Sequence, residues 1–230
     1  MELLGRWQML YPMPHRLRAA GRSILLGSLL TSVLLIGLQT LGWLEPLELR
    51  VFDHLMQRRA DATVDDRLLI VGIGETDLHR YGWPLSDAVL AQGITQLQSH
   101  QPRVIGLDLY RDLAHPPGTL DLKSVLQAEN MVAITNILSS VAAPAEVPVD
   151  RIGFNDFVLD VDGVLRRSLL FVAADDQDYY SFALRVGLRY LAPLGQAFRC
   201  SSEALWLGQT PIFPLTTDSG GYQRADARGY

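Results

Sequence analysis

The chain is short of cysteine and of lysine: Cys200 is its one cysteine, and Lys123 is the one lysine among 20 basic residues. A single cysteine closes no internal disulfide, so the chain is not a disulfide scaffold and names no redox compartment. The lysine deficit is matched by arginine and points to no function. No Gly-x-x-x-x-Gly-Lys-Ser/Thr run occurs, which speaks against nucleoside triphosphate binding. His-Glu-x-x-His, paired zinc spacings and Gly-x-Ser-x-Gly are absent too, and His15, His54, His79, His100 and His115 stand singly. Gly72-Ile73-Gly74 opens like a dinucleotide loop, but the next required glycine falls on Asp77, whose charge would repel a pyrophosphate. Asp160-Val161-Asp162-Gly163 fails as a calcium loop. Alignment on Gly163 puts Val158 and Leu169 where oxygen ligands are needed. What is present is a folded composition: 230 residues, 48% hydrophobic and 20% charged, enough for one or two domains.

The net charge of −5 is unevenly distributed. In residues 1–44, Arg6, Arg16, Arg18 and Arg22 stand against Glu2, giving +3. Residues 45–230 carry 16 basic and 24 acidic residues, giving −8. An acidic bulk excludes a general nucleic-acid binder, which needs a basic surface to displace phosphate counterions.

Between the two regions lies Ile24 to Leu44, 21 residues without a charge. As a helix it extends about 31 Å, the thickness of a bilayer core. The upstream arginines predict a cytoplasmic N-terminus, and Trp43 stands where an interfacial aromatic is expected. The stretch is longer than a signal-peptide core, and Leu44-Glu45-Pro46 is a poor cleavage site. The expectation is a cytoplasmic basic N-terminus (1–23), a transmembrane helix (24–44) and a domain outside the cytoplasm (45–230), single-pass in the inner (plasma) membrane.

Leu47 to Arg59 has helical apolar spacing and either continues the membrane helix or starts a new one after Pro46. Residues 67–74 (RLLIVGIG) read as a buried strand, as in a parallel sheet. Ser86 is a candidate N-cap for a helix through Leu97, and Val104 to Leu109 is a second buried strand. Together they predict a βαβ unit with parallel strands. Thr119 is a candidate cap for a helix through Gln127, and Met131 to Ile134 a third strand. The Asp162-Gly163 step between two apolar runs predicts a β-hairpin around residues 152–172. Ser181 is expected to cap a helix over 182–191. The fold class expected is α/β, with a mostly parallel sheet.

Glu75, Asp77 and Asp108 follow the carboxyl ends of the first two expected strands, where ligands usually bind in such sheets. Clustered carboxylates there can hold a cation or a basic ligand or perform acid–base work. The competing reading has Asp77 capping a turn and Asp108 paired with Arg111 or Arg103. Trp83, in the rigid turn Tyr81-Gly82-Trp83-Pro84, either lines a pocket or caps the sheet edge. The ligand-binding candidates are therefore Glu75, Asp77, Trp83 and Asp108, with no catalytic residue, metal or cofactor assigned.

Several segments jointly resemble the second class of CHASE domain, a sensory extracellular domain associated with cyclases and histidine kinases in bacterial receptors. They are Leu47-Glu48-Leu49-Arg50-Val51-Phe52-Asp53, then Ile70-Val71-Gly72-Ile73-Gly74-Glu75-Thr76-Asp77-Leu78, and Gly82-Trp83-Pro84. They continue with Val104-Ile105-Gly106-Leu107-Asp108-Leu109-Tyr110, then Gly153-Phe154 with Asp160-Val161-Asp162-Gly163-Val164-Leu165-Arg166-Arg167, and Ser181-Phe182-Ala183-Leu184. The chain departs from the family in carrying Leu85-Ser86-Asp87 where many members have an arginine. The resemblance marks Asp53, Gly82, Pro84, Asp162, Gly163 and Arg166 as structural or signalling positions. It implies the non-catalytic input domain of a signal-transduction receptor, any kinase or cyclase lying outside this chain. Its expected partners are the bilayer and an extracytoplasmic ligand, with room for a homodimer. Movement of the helix at 47–59 is the expected route of the signal. The chain is expected to stop short of the family's last section. The rival functions are a membrane-bound metal-dependent hydrolase using Glu75, Asp77 and Asp108, and a non-signalling envelope scaffold.

Overall fold

The computed structural model describes residues 15–60, 63–174, 177–201, 204–216, 219–222 and 229. They divide into two compact units. The first holds two helices and residues 219–222; the second holds residues 60–216 and Gly229.

In the first unit, α1 spans His15–Thr40. It starts earlier and ends sooner than the uncharged run 24–44 suggests, because Arg16, Arg18 and Arg22 are good helix formers while Gly42 stops it. Its segment Gly21–Thr40 has a mean hydropathy of 1.8 with none of it buried, long and apolar enough to cross a membrane. Gly42, at φ 72°, donates to Gln39 O, and Trp43 N–H donates to Leu38 O. This left-handed glycine cap satisfies the last carbonyls and turns the chain away from the helix axis. A separate helix, α2 (Glu45–Gln57), follows. Pro46 in its first turn has no amide to waste, and Glu45 and Glu48 favour the positive end of its dipole. Leu49 is buried on the side where Gly221 passes: a Cβ on Gly221 would stand 3.5 Å from both Glu48 Cβ and Leu49 Cδ2.

The second unit begins with a difference from expectation. Residues 67–74 form no strand, and Leu69 and Ile70 are 79% and 82% exposed. An apolar run names no partner. Here its start is held in a local turn, where Arg67 makes a bidentate pair with Asp65, and Gly72 and Gly74 offer no side chain to pack. Next come α3 (Glu75–Tyr81) and α4 (Asp87–Gln98), the latter capped by Ser86 Oγ accepting from Val89 N–H. Then β1 (Ile105–Leu107), α5 (Thr119–Leu126), β2 (Met131–Thr135) and β3 (Ile152–Phe154) build one parallel sheet in the order β1-β2-β3. Central β2 is buried on both faces, as in parallel sheets generally. On one face Ala91, Ile94, Leu122 and Leu126 from α4 and α5 meet Ile105, Leu107, Met131 and Ala133. The cap of α5 is Gly118, not Thr119; the Thr119 hydroxyl donates instead to Asp87.

The expected hairpin at 152–172 is corrected. Its first run is β3, parallel to β2, and 155–170 form no ladder. The turn exists: Gly163, at φ 78°, donates to Asp160 O, and Asp160 N–H donates to Val164 O. Its flanks are spent on side-chain bonding. Buried Arg166 pairs with Asp160 at 2.9 Å and Asp162 at 2.7 Å, and buried Arg167 pairs with Asp160 at 2.8 Å. The antiparallel hairpin comes later, from β4 (Phe171–Ala174) and β5 (Gln177–Tyr180). After it α6 (Phe182–Leu191) is capped by Ser181 Oγ accepting from Leu184 N–H. It covers the second face of the parallel sheet, and Gly106 and Gly153 make its close approach possible. A Cβ on Gly106 would meet Phe182 Cζ at 2.7 Å, and one on Gly153 would meet Phe182 Cα at 2.5 Å. A third sheet, β6 (Phe198–Cys200), β7 (Leu205–Leu207) and β8 (Thr210–Ile212), is antiparallel. Among the described residues the fold is thus mixed α/β with three small sheets, of which one is parallel and two antiparallel, rather than one mostly parallel sheet.

Candidate functional site

The parallel strands stop within one residue of a change in chemistry. Asp108 follows β1 and Asn155 follows β3, so both leave the sheet at its carboxyl edge. There a cleft of about 280 Å³ is lined by Trp83, Pro84, Asp108, Tyr110, Arg111 and Asn155, among others. The Tyr110 hydroxyl donates to Asn155 Oδ1 at 2.8 Å, tying the loop after β1 to the loop after β3 across β2. Asp156 braces the same rim by accepting from the amides of Ile137 and Leu138 at 2.8 and 2.9 Å. Trp83 reaches the cleft because Gly82, at φ 78°, ends α3 in a conformation that favours glycine. Its ring is 63% exposed, an apolar face kept in solvent beside a carboxylate.

Arg111 forms the wall. Its side chain is 4% exposed and donates to the carbonyls of Tyr110 and Leu85, both at 3.0 Å. Its Nε lies 3.7 Å from Oδ1 of Asp87, which is 1% exposed, and neither atom has a hydrogen-bond partner. Burial pushes the guanidinium pKa down, and the Asp87 charge opposes that shift. The other Asp87 oxygen accepts from His115 N–H and the Thr119 hydroxyl at 3.0 and 2.8 Å. This pair therefore holds together the start of α4, the start of α5 and the loop after β1. Behind it a second cavity of about 250 Å³ is closed by a Lys123–Glu146 pair at 2.6 Å, and that bond lowers the Glu146 pKa.

Of the sequence candidates, Trp83 and Asp108 line the cleft and Glu75 and Asp77 do not. The Asp77 carboxylate accepts from Gly74 N–H at 2.9 Å, so it caps α3. Glu75 is exposed on the same first turn. Because 67–74 makes no strand beside β1, the three carboxylates are not gathered. Among the described residues no group of three or more His, Cys, Asp or Glu side chains can hold a metal ion. The expected partners of Asp108 are engaged elsewhere. Arg111 takes Asp87, and Arg103 lies over the Tyr190 ring at 5.0 Å. Asp108 is exposed and has no side-chain partner among the described residues. Sequence reasoning missed Tyr110, Asn155 and the Asp87–Arg111 pair. The only signal for that pair was an aspartate in the first turn of a helix, which reads equally as a dipole charge.

Pro84 lines the cleft and Gly82 ends α3. Asp162, Gly163 and Arg166 form the turn described above, and the Arg166 bond holds the Asp162 pKa down at about 2. Asp53 lies half-buried on α2.

No curated protein sequence and no solved structure matches the chain significantly. A family profile described as the CHASE2 domain does match, over residues 30–227. That match takes in α2, the Gly82-Trp83-Pro84 turn, the parallel sheet with its cleft and the Asp160–Arg167 turn, and the chain belongs to the CHASE2 family of sensory domains.

Proposed function

We propose that this chain is the sensory input part of a membrane-anchored bacterial receptor. In this reading α1 crosses the inner membrane with its arginine-rich end in the cytoplasm, and residues 60–216 meet the stimulus outside. Any kinase or cyclase output belongs to other parts of the receptor. The observation that carries the reading is the cleft at the carboxyl ends of β1 and β3, within a sensory family. Its free carboxylate (Asp108) and exposed aromatic face (Trp83) are groups a small ligand can satisfy. Such a ligand acts by its differential affinity for two arrangements of the cleft. The Asp87–Arg111 pair gives the cleft wall a mechanical link to α4 and α5.

Two measurements test this. Alkaline phosphatase fused after residue 60 is expected to be active in cells; an inactive fusion with normal membrane levels overturns the orientation. A library of small amines, amino acids and organic acids is screened by thermal shift on the full chain in detergent. At least one compound is expected to raise Tm in the wild type and to fail with Trp83→Ala and Asp108→Asn. Hits that stabilise all three proteins equally place the sensory site elsewhere.

A further inference from the structure

Five large apolar side chains of α2 face solvent: Leu47, Val51, Phe52, Leu55 and Met56, with Leu47 at 60% and Leu55 at 64% exposed. On a 3.6-residue helix Leu47, Val51 and Leu55 fall within about 80° of one another, and Phe52 and Met56 widen the arc to about 180°. Glu48 lies inside that arc but on the side that Gly221 covers. Counted from Leu47, Glu45 falls at about 160°, within the wider arc, so the part free of acids is the stripe of about 80° formed by Leu47, Val51 and Leu55. Exposed Arg50 and His54 adjoin it on its polar shoulder, and exposed Arg58 closes its far end. None of the three makes an ion pair with a described residue. Such a helix in water would be costly, since contiguous apolar patches are rarely left bare without a partner.

What covers the stripe follows from its place in the chain. It begins at Leu47, directly after the segment that ends α1, and Trp43 stands exposed between them. The left-handed cap at Gly42 turns the backbone away from the axis of α1, so α2 does not prolong that helix. A 13-residue helix with an apolar stripe and a cationic shoulder at Arg50 and His54, placed at the end of an apolar span, has the pattern of an interfacial helix. We propose that α2 lies in the membrane surface. Its Leu47–Val51–Leu55 stripe is seated among the acyl chains, and Arg50, His54 and Arg58 reach the lipid phosphates. The inference rests on the reading of α1 as a membrane span. It gives the receptor a second attachment, one that senses the lipid surface itself.

The test uses the full chain in nanodiscs of phosphatidylethanolamine with phosphatidylglycerol. Spin labels are placed singly in a Cys200→Ser background at Leu47→Cys, Val51→Cys, Leu55→Cys, Gln57→Cys and Val33→Cys. Accessibility to oxygen, which concentrates in lipid, is compared with accessibility to a polar nickel chelate. The three stripe positions are expected to show a several-fold higher oxygen-to-nickel ratio than Gln57, with Val33 higher still. Nickel reaching Val51 and Leu55 as freely as Gln57, while Val33 stays protected, overturns the proposal and leaves the span intact. Nickel reaching Val33 removes the span, and the proposal falls with it. Spin–spin broadening at Val51 or Leu55 that vanishes on dilution with unlabelled protein identifies a second copy as the cover, and also overturns it.

Discussion

The sharpest test of how the second unit is packed is a single methyl group at Gly153. Built there, the new Cβ lies 2.5 Å from Phe182 Cα and 2.6 Å from its nitrogen. Carbon atoms in good contact sit about 3.5–4.0 Å apart, so Gly153→Ala forces the start of α6 back by roughly 1 Å. The obstruction is backbone, which no rotamer change relieves. Overpacking of this kind costs about 1–3 kcal/mol. The retreat also disturbs the Ser181 cap and the bridge between Phe154 and Ser181, and a lost cap costs about 1 kcal/mol. Against this, alanine restricts the unfolded chain by about 0.4–1 kcal/mol. The net loss is about 1–3.5 kcal/mol, equivalent to a Tm fall of roughly 3–12 °C for a unit of this size. Gly106→Ala is the control. Its Cβ meets the ring tip of Phe182 at 2.7 Å and Val186 Cγ2 at 3.1 Å, both side-chain atoms. Phe182→Leu should therefore rescue most of the Gly106→Ala loss and none of the Gly153→Ala loss. Thermal melts followed by far-UV circular dichroism read both. An unchanged Tm for Gly153→Ala, or equal rescue of both variants, would refute the account of α6 seated on two glycines.

Asp87→Ala leaves the Arg111 guanidinium buried beside no anion and should cost about 3–5 kcal/mol in urea unfolding, whereas the double replacement Asp87→Leu/Arg111→Met recovers only part of that loss, because His115 N–H, the Thr119 hydroxyl and the Leu85 carbonyl still lack their partners. Asp162, whose folded pKa of about 2 lies below its ordinary 3.8, stabilises the turn above pH 4 and loses that contribution as pH falls toward 2. Asp162→Asn should accordingly flatten the acid limb of a Tm-against-pH profile and leave its basic limb alone. Tyr110→Phe removes the bond to Asn155 and should cost about 0.5–1.5 kcal/mol. Asp108→Asn, at an exposed position, should change stability by less than about 0.5 kcal/mol in the same urea titrations.

Much of the framework was legible because local chemistry decides it. Ser86 and Ser181 announce their helices, the apolar spacing of 47–56 announces α2, and the short runs around 105 and 131 become buried strands. The Asp162-Gly163 turn forms as expected. What failed was partner choice. Residues 67–74 are apolar enough for a central strand, yet apolarity does not specify pairing. Ile152 to Phe154 has turn chemistry downstream, yet pairs backward with β2. At the cleft, Asp108 is legible from the rule that ligands gather at strand ends, and Trp83 from the rigid aromatic turn that holds it. Asp77 looks the same in sequence because its capping bond to Gly74 and a ligand bond ask for the same side chain. The Asp87–Arg111 pair joins residues 24 positions apart, a distance at which one sequence carries no pairing signal.

The exposed run from Leu68 to Ile73 has a consequence for how the protein survives its own synthesis. Six uncharged residues without proline, open to solvent and in no helix or strand, have the composition of a segment that stacks against its own kind in other molecules. The chain brackets it with charge: Asp65, Asp66 and Arg67 stand before it and Glu75 just after Gly74. These residues serve as gatekeepers, since each added strand in a stack would bring like charges into register. The bidentate Asp65–Arg67 pair holds the entrance of this segment in a turn, which sets a fixed charge pair against the end where another strand would first dock.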